Sequence, residues 1–199
     1  MLMAVFCLGA SLIGINAQEK DWANLQRYAQ QNAELPKPDK NEKRVVFMGN
    51  SITEGWVNTH PDFFKSNGYI GRGIGGQTSY QFLVRFREDV INLSPALVVI
   101  NAATNDIAEN TGAYHEDRTF GNIVSMVELA KANHIKVILT TTLPAAAFGW
   151  NPAIKDAPQK IASLNARLKA YAQTNKIPFV DYYSSMVSGS NKALNPAYT

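Results

Sequence analysis

Five short apolar runs alternate along the chain with longer segments whose apolar residues recur at helical spacing. Apolar runs of about five residues predict buried strands. Helical segments between such strands connect them in parallel, as right-handed crossovers. The sequence therefore predicts an α/β fold with a five-stranded, parallel, doubly wound sheet and helices on both faces. The predicted strands occupy residues 45–48, 69–74, 96–100, 137–142 and 177–182.

The segments between the strands predict the helices. Asp21 is positioned to cap a helix over residues 21–35, which the prolines at positions 36 and 38 would end. A helix capped by Thr78 is expected after the second strand. The other predicted helices lie at residues 61–65, 120–130 and 161–171.

Composition and the first residues divide the chain into a leader, a linker and one domain. Hydrophobic residues make up 46% of the 199 residues and charged residues 18%, which suits a single α/β domain, assigned to residues 44–199. Residues 1–17 carry no charge and predict a secretory signal cut after Ala17, with residues 18–43 as an N-terminal helix and linker. We therefore expect export to the periplasm or the exterior of a bacterium; the alternative is a buried N-terminal helix. Cys7, the only cysteine, lies in the leader, and its flanks fit a lipoprotein anchor poorly.

The charge pattern and the spacing of polar residues exclude several classes of function. The net charge is +3 and the lysines and arginines are scattered, so nothing indicates a nucleic-acid partner. The apolar leader is too short for a membrane span, and we expect none in the mature chain. No histidine or cysteine pair has ligand spacing, so we expect no metal and no other cofactor.

Ser51 follows the first predicted strand at the point where a helix begins. The first N–H groups of a helix have no partner within the helix and point outward. A serine at this place can be a nucleophile whose own N–H stabilises the oxyanion that it creates. The alternative is an ordinary helix N-cap, a position where serine is common.

Two further candidate residues follow strands of the same predicted sheet. Gly76 and Asn105 come just after the second and third strands, and the carboxyl ends of parallel strands meet at one edge. Gly76 offers an N–H that an acyl oxygen can approach closely because no Cβ is present, and Asn105 offers a side-chain amide. Together with Ser51, these residues would supply the nucleophile and the oxyanion donors of an acyl transfer.

These three stretches resemble the sequence blocks of the SGNH (GDSL) hydrolases. Residues 49–53, Gly-Asn-Ser-Ile-Thr, are similar to the GDS(L/I) block, residues 72–78 to the block whose glycine is an oxyanion donor, and residues 104–106 to the GTND block, whose asparagine is the other donor. The blocks occur in the family's order. The resemblance implies a flavodoxin-like, three-layer α/β/α fold and metal-free serine hydrolysis of a small-molecule or glycan ester. It is greatest to acetylhydrolases of the platelet-activating-factor type and to bacterial carbohydrate O-acetyl esterases.

The sequence departs from the family pattern at three points. Asn50 stands where the family has aspartate, which should matter little because that side chain is outside the catalytic triad. Ala103 replaces a glycine, so a positive φ there would strain the loop and could misplace Asn105. No Asp-x-x-His block follows the fifth strand to supply the base and its orienting acid.

None of the three histidines is a good replacement for the missing base. His134 precedes the fourth strand, at the opposite edge of the sheet from Ser51. His60 lies in a loop that could approach the site, and His115 lies at the same edge as Ser51, but we interpret the first as a loop residue and the second as a surface or capping residue. We therefore expect the catalytic histidine and aspartate, and the final helix of the family fold, to lie beyond Thr199. On this hypothesis the 199 residues are part of a longer esterase.

Two other functions stay open at this point. Residues 71–76 match the dinucleotide fingerprint G-x-G-x-x-G, but no acidic residue ends a strand about 20 residues later. The second is a carbohydrate-binding protein that has lost its base, with Trp56, Phe148 and Trp150 lining a sugar cleft. Each of these aromatic side chains could equally pack in the core.

Overall fold

Five parallel strands form the central sheet of the computed structural model, which describes residues 21–198. The strands are β1 (Val45–Gly49), β2 (Tyr69–Gly73), β3 (Leu97–Ile100), β4 (Lys136–Thr140) and β5 (Phe179–Val180). Their order across the sheet is β2-β1-β3-β4-β5, and every neighbouring pair is parallel. The predicted five-stranded parallel sheet is confirmed. The predicted secretory signal, residues 1–17, lies outside the described residues.

Helices cover both faces of this sheet. They are α1 (Ala29–Glu34), α2 (Ser51–Thr59), α3 (Pro61–Ser66), α4 (Ser79–Asp89), α5 (Thr104–Ile107), α6 (Glu116–Ala132), α7 (Ala157–Thr174) and α8 (Tyr182–Met186). α2 and α3 pack on β1 and β2, whereas α4 packs against α6 and α6 against α7. Right-handed crossovers put these two groups on opposite faces, because the chain reverses its direction across the sheet after β2. Within residues 21–198, no helix is long and apolar enough to cross a bilayer.

The chain after β5 adds a small unit that the sequence did not predict. α8 leads into an antiparallel hairpin of β6 (Val187–Ser188) and β7 (Ala193–Leu194), followed by a 3₁₀ turn at Pro196–Tyr198. These elements are two to five residues long, which is too short for a hydrophobic period to be recognised.

The predicted helix over residues 21–35 is wrong. The chain forms a 3₁₀ turn at Leu25–Arg27 and then the short helix α1, with Asn24 in the left-handed region at φ +54°. The Asp21 carboxylate does cap this segment, because it accepts two backbone N–H groups at 2.8 and 3.0 Å. The helical spacing of apolar residues was therefore present without a continuous helix.

Residues 21–34, here called the N-terminal strap, are shaped by hydrogen bonds to the rest of the domain. The Tyr28 hydroxyl donates to the Gly73 carbonyl at the end of β2. The Gln77 side-chain amide donates to the Ala23 carbonyl at 2.7 Å. These tertiary contacts override the intrinsic helix propensity of the strap.

Two strands are shorter than predicted. β4 ends at Thr140 instead of residue 142, and β5 has two residues where the sequence predicted 177–182. The N–H of Thr142 is taken by the Asn165 side chain at 2.8 Å, so the backbone there leaves the ladder. A buried polar side chain from α7 thus sets this boundary.

The hydrophobic core lies between the sheet and the helices α4, α6 and α7. Thr78 occupies the N-cap of α4 as predicted, and its N–H donates to the Gln81 side chain at 3.1 Å. The large, fully buried side chains include Met48, Phe82, Phe86, Ile100, Ile123, Met126, Leu139, Ile161 and Leu164.

Arg85 is buried completely within this core. Its guanidinium pairs with Asp89 at 2.7 Å and donates to the Gln77 side chain at 2.6 Å. It also donates to the Gly49 carbonyl at 3.0 Å, at the end of β1. A buried arginine needs such partners because its desolvation is costly. Arg85 therefore joins the end of β1 to the loop that precedes α4.

Replacing Arg85 with methionine leaves the buried Asp89 carboxylate without its ion-pair partner. We expect the free energy of unfolding to fall by about 3–5 kcal/mol, measured by denaturant unfolding. Adding Asp89→Asn should recover part of that loss, because it removes the unpaired charge. A loss below about 1 kcal/mol for Arg85→Met would contradict this role.

Candidate active site

Ser51 is the first residue of α2, two residues after β1 ends at Gly49. The residue is exposed, and neither its hydroxyl nor its N–H is hydrogen-bonded to another residue within 21–198. The turn from β1 into α2 lies close against β2. A Cβ on Gly73 would stand 2.3 Å from the Glu54 nitrogen, so only glycine allows this approach. The nucleophile candidate therefore sits at an exposed helix start with its two polar groups free.

Asn50, rather than Ser51, is the N-cap of α2. Its side-chain oxygen accepts the N–H of Ile52 at 3.0 Å, as an aspartate at this position could also do. The Asn50 amide nitrogen is buried without a hydrogen-bond partner among the described residues. The alternative interpretation of Ser51 as an ordinary N-cap is therefore wrong.

The loop Gly75-Gly76-Gln77 lies beside Ser51. A Cβ on Gly75 would stand 3.8 Å from the Cβ of Ser51. Gly76 has φ +75°, a conformation that glycine adopts without strain. The Gly76 N–H has no hydrogen-bond partner among residues 21–198. This loop thus presents a second free N–H next to the serine.

Asn105 reaches the same loop from α5, just after β3. Its side-chain nitrogen donates to the Gln77 carbonyl at 2.8 Å. An amide nitrogen carries two protons, so one remains for another acceptor. The structure thus brings Ser51, Gly76 and Asn105 together at the carboxyl edge of the sheet, as predicted.

Ala103 occupies the left-handed region, with φ +84° and ψ −15°. The positive φ considered from the sequence is therefore confirmed. The displacement of Asn105 that this conformation could cause is not found, because Asn105 still contacts the loop at Gln77.

Asp106 is a supporting residue that sequence reasoning missed. Its buried carboxylate accepts the N–H and the hydroxyl of Ser79, and also the hydroxyl of Thr119. Burial raises the pKa of the Asp106 carboxyl. Because Asp106 follows Asn105, these bonds hold α5 against the start of α4. The sequence held one sign of this contact: an acidic residue directly after Asn105 and a serine directly after the Thr78 cap, which can bond each other.

The three histidines lie where the sequence placed them. His134 is in the turn before β4, at the opposite edge of the sheet from Ser51. His60 follows the far end of α2 and lies 2.9 Å from the Thr59 hydroxyl, and His115 is an exposed N-cap of α6. Within the part of the chain that is described, no hydrogen bond joins a histidine to Ser51.

The three aromatic residues considered for a sugar cleft differ in how they are packed and exposed. Trp56 stacks in a cluster with Phe63 and Phe64, and Phe148 is buried. Trp150 is 60% exposed, and its indole N–H donates to Asn110 at 2.9 Å. Ordinary packing explains the first two, and Trp150 alone of the three presents an open ring beside the Gly76 loop.

A cavity of ≈ 500 Å³ lies elsewhere, between the N-terminal strap, α2 and β2. Its lining includes Glu54 but none of Ser51, Gly76 and Asn105. The candidate site therefore lies outside this cavity.

The dinucleotide interpretation does not fit the fold. Its first two glycines, Gly71 and Gly73, lie inside β2, and α4 does not begin until Ser79. The fingerprint requires these glycines in the turn that opens a helix. Within residues 21–198, no cluster of three or more His, Cys, Asp or Glu side chains could hold a metal ion.

The sequence model of the GDSL-like Lipase/Acylhydrolase family matches residues 47–197. The chain belongs to this family. A crystal structure from Bacteroides fragilis NCTC 9343, assigned as an acylhydrolase, is 99% identical, with a TM-score of 0.90 over 91% of this chain and 87% of that chain. The match supports an esterase or hydrolase of the GDSL type.

Two further relatives are more distant. An acetyl xylan esterase is 22% identical, with a TM-score of 0.57 over 71% of this chain and 78% of that chain, which is a likeness of fold. A Bacillus subtilis (strain 168) protein named "Uncharacterized lipoprotein YqeF" is 32% identical over 117 residues, covering 50% of this chain and 48% of the relative. The match thus spans about half the length of this curated relative.

Replacing Ala103 with glycine should leave the free energy of unfolding unchanged or raise it by up to about 1.5 kcal/mol. Left-handed backbone costs an alanine roughly 1–2 kcal/mol, and the greater freedom of glycine in the unfolded chain offsets about 0.4–1 kcal/mol of the gain. The control Ala130→Gly, in the buried face of α6, should lose about 1–2 kcal/mol. Equal losses in both variants, measured by denaturant unfolding, would contradict strain at Ala103.

Proposed function

We propose that this chain belongs to a serine ester hydrolase that removes small acyl groups, chiefly acetyl, from a polar substrate such as a glycan. The observation that carries the proposal is the convergence of an exposed Ser51 hydroxyl, two unpaired N–H groups and the Asn105 amide at one edge of the sheet. Acyl transfer needs these groups together, a nucleophile beside donors for a developing oxyanion.

The chemistry follows from this arrangement. The Ser51 oxygen attacks the ester carbonyl carbon, and the carbonyl π pair moves onto oxygen. The N–H groups of Ser51 and Gly76 and the second amide proton of Asn105 stabilise that oxyanion. Collapse of the tetrahedral intermediate expels the alcohol and leaves an acyl-serine, which water then hydrolyses to the acid and free serine.

A base must take the serine proton and return it to the leaving alcohol. We propose that this base is a histidine whose ring is held by an aspartate. None of the three histidines within residues 21–198 is hydrogen-bonded to Ser51, so the proposal assigns this part to none of them.

The substrate class and the location are inferred from weaker features. The open ring of Trp150 beside the Gly76 loop is suited to packing against a sugar ring. The uncharged leader supports export to the periplasm or the exterior of a bacterium, and the name of the Bacillus relative, a lipoprotein, is compatible with export.

The second candidate function is a carbohydrate-binding protein of the same fold. The lack of a contact between Ser51 and any described histidine favours it, together with the exposed Trp150. Assaying the protein expressed from its complete natural gene separates the two functions. An enzyme releases acetate from an acetylated oligosaccharide, whereas a binding protein retains the sugar and releases none.

Ser51→Ala should abolish acetate release in the protein made from the complete gene. Asn105→Ala should lower kcat by about a hundredfold or more, the usual cost of losing one oxyanion donor. Both variants should keep the circular-dichroism spectrum of the parent. Undiminished turnover in Ser51→Ala would remove Ser51 as the nucleophile, and an unchanged rate in Asn105→Ala would remove it from the oxyanion hole.

Trp150→Ala should raise KM for an acetylated oligosaccharide about three- to tenfold relative to Trp150→Phe. Both variants lose the indole N–H, so the comparison isolates the aromatic face. With ethyl acetate, which has no ring, the two variants should have the same kcat/KM. Equal KM values for the oligosaccharide would exclude Trp150 from sugar binding.

A further inference from the structure

Two side chains hold the peptide planes on either side of the peptide that links Gly75 to Gly76. Glu54 holds the preceding plane, because its carboxylate accepts the Gly75 N–H at 2.8 Å. The other carboxylate oxygen of Glu54 pairs with Arg27 of the N-terminal strap at 3.0 Å. Each oxygen of this carboxylate thus has its own partner, which fixes the side chain from two directions.

Asn110 holds the plane that follows. Its side-chain nitrogen donates to the Gly76 carbonyl at 2.9 Å. Its side-chain oxygen accepts the indole N–H of Trp150, also at 2.9 Å. Because an indole can only donate, Trp150 determines which end of the amide faces it, and the nitrogen must therefore face Gly76.

The middle peptide, between Gly75 and Gly76, is the one whose N–H has no acceptor among residues 21–198. Two successive glycines are the least restrained sequence that a chain can have. Within the loop itself, the one bond across this turn is long, from the Gln77 N–H to the Ile74 carbonyl at 3.4 Å. The orientation of the free N–H must therefore be set largely from outside the loop.

We propose that Glu54 and Asn110 are positioning residues that aim the Gly76 N–H at the ester oxygen. This inference rests on the proposed function, since it assigns the support of one proposed oxyanion donor. Neither side chain contacts the reacting atoms. Each acts by holding the peptide plane next to the donating one, and together they leave the donating plane little freedom to turn.

The exposure of Glu54 and its partner distinguishes a positioning role in catalysis from a role in stabilising the fold. Arg27 is about half exposed and Glu54 a quarter exposed, so their ion pair adds little to the stability of the fold. A small displacement of a preorganised donor, in contrast, has a large effect on the rate. Removal of either side chain should therefore affect kcat far more than the melting temperature.

The test uses the protein expressed from its complete natural gene and an acetyl ester without a ring, such as ethyl acetate. Glu54→Ala and Asn110→Ala should each lower kcat by about tenfold or more, with KM changed less than about twofold, because an oxyanion contact forms only in the transition state. The melting temperature should move by less than about 3 °C.

Two conservative variants test the individual hydrogen bonds of Glu54 and Asn110. Glu54→Gln keeps an oxygen that can accept the Gly75 N–H, so kcat should stay within about threefold of the parent. Asn110→Asp keeps the acceptor for Trp150 but turns a carboxylate oxygen toward the Gly76 carbonyl. Its kcat should therefore fall at least as far as that of Asn110→Ala, because the negative carboxylate repels the partly negative carbonyl oxygen of Gly76.

Two matched variants serve as controls. Asn133→Ala removes the same kind of amide-to-carbonyl bond at the opposite edge of the sheet, and Glu128→Ala removes an exposed carboxylate from α6. Both should keep the parent kcat. If Ser51→Ala abolishes turnover while Glu54→Ala and Asn110→Ala keep the parent kcat, the positioning role is overturned and the proposed function stands. If Ser51→Ala keeps turnover, the proposed function itself fails.

Discussion

The buried guanidinium of Arg85 is the interaction on which the geometry of the whole site depends. It bonds the carbonyl of Gly49 at the end of β1 and the side chain of Gln77 in the glycine loop, while Asp89 balances its charge. Ser51 lies two residues after Gly49, and Gly76 directly precedes Gln77. From within the core, Arg85 therefore joins the strand end that precedes the proposed nucleophile to the loop that carries the proposed oxyanion donor.

Around this centre, the polar groups divide into those that hold the backbone and those left free. Gln77, Asp106, Glu54 and Asn110 all have their hydrogen-bonding groups occupied by neighbours from other elements. The N–H groups of Ser51 and Gly76 are left without partners in the described chain. Both residues are exposed, so their N–H groups can bond water, and a bound ester oxygen can take the place of that water. This division is the physical basis for interpreting the edge as a reaction site.

The sequence was sufficient for the sheet and for the residues that meet at its edge. Apolar runs that match parallel strands placed Ser51 and Asn105 at the same edge, and the family resemblance marked Ala103 as a position where a positive φ was to be considered. The N-terminal strap was predicted wrongly, because its apolar spacing is helical while its shape comes from bonds to distant residues such as Gly73.

The supporting polar residues could not be found in the same way. Glu54 and Arg85 look like ordinary exposed charges of amphipathic helices, and only the folded chain shows that one holds a loop and the other is buried. Asn110 lies in a loop without any periodic pattern. The bonds that join them to the site cross 21 residues from Glu54 to Gly75, 36 from Arg85 to Gly49 and 34 from Asn110 to Gly76, and no local rule relates these pairs.

A covalent transition-state mimic can show whether Ser51, Gly76 and Asn105 act on one carbonyl oxygen. The measurement is a crystal structure of the protein from the complete gene after reaction with a fluorophosphonate, whose serine adduct has the tetrahedral shape of the intermediate. We expect phosphorus on the Ser51 oxygen, with the phosphonyl oxygen within about 3 Å of the Ser51 and Gly76 nitrogens and of the Asn105 amide. Phosphorus on another residue, or a phosphonyl oxygen turned away from these three donors, would contradict it.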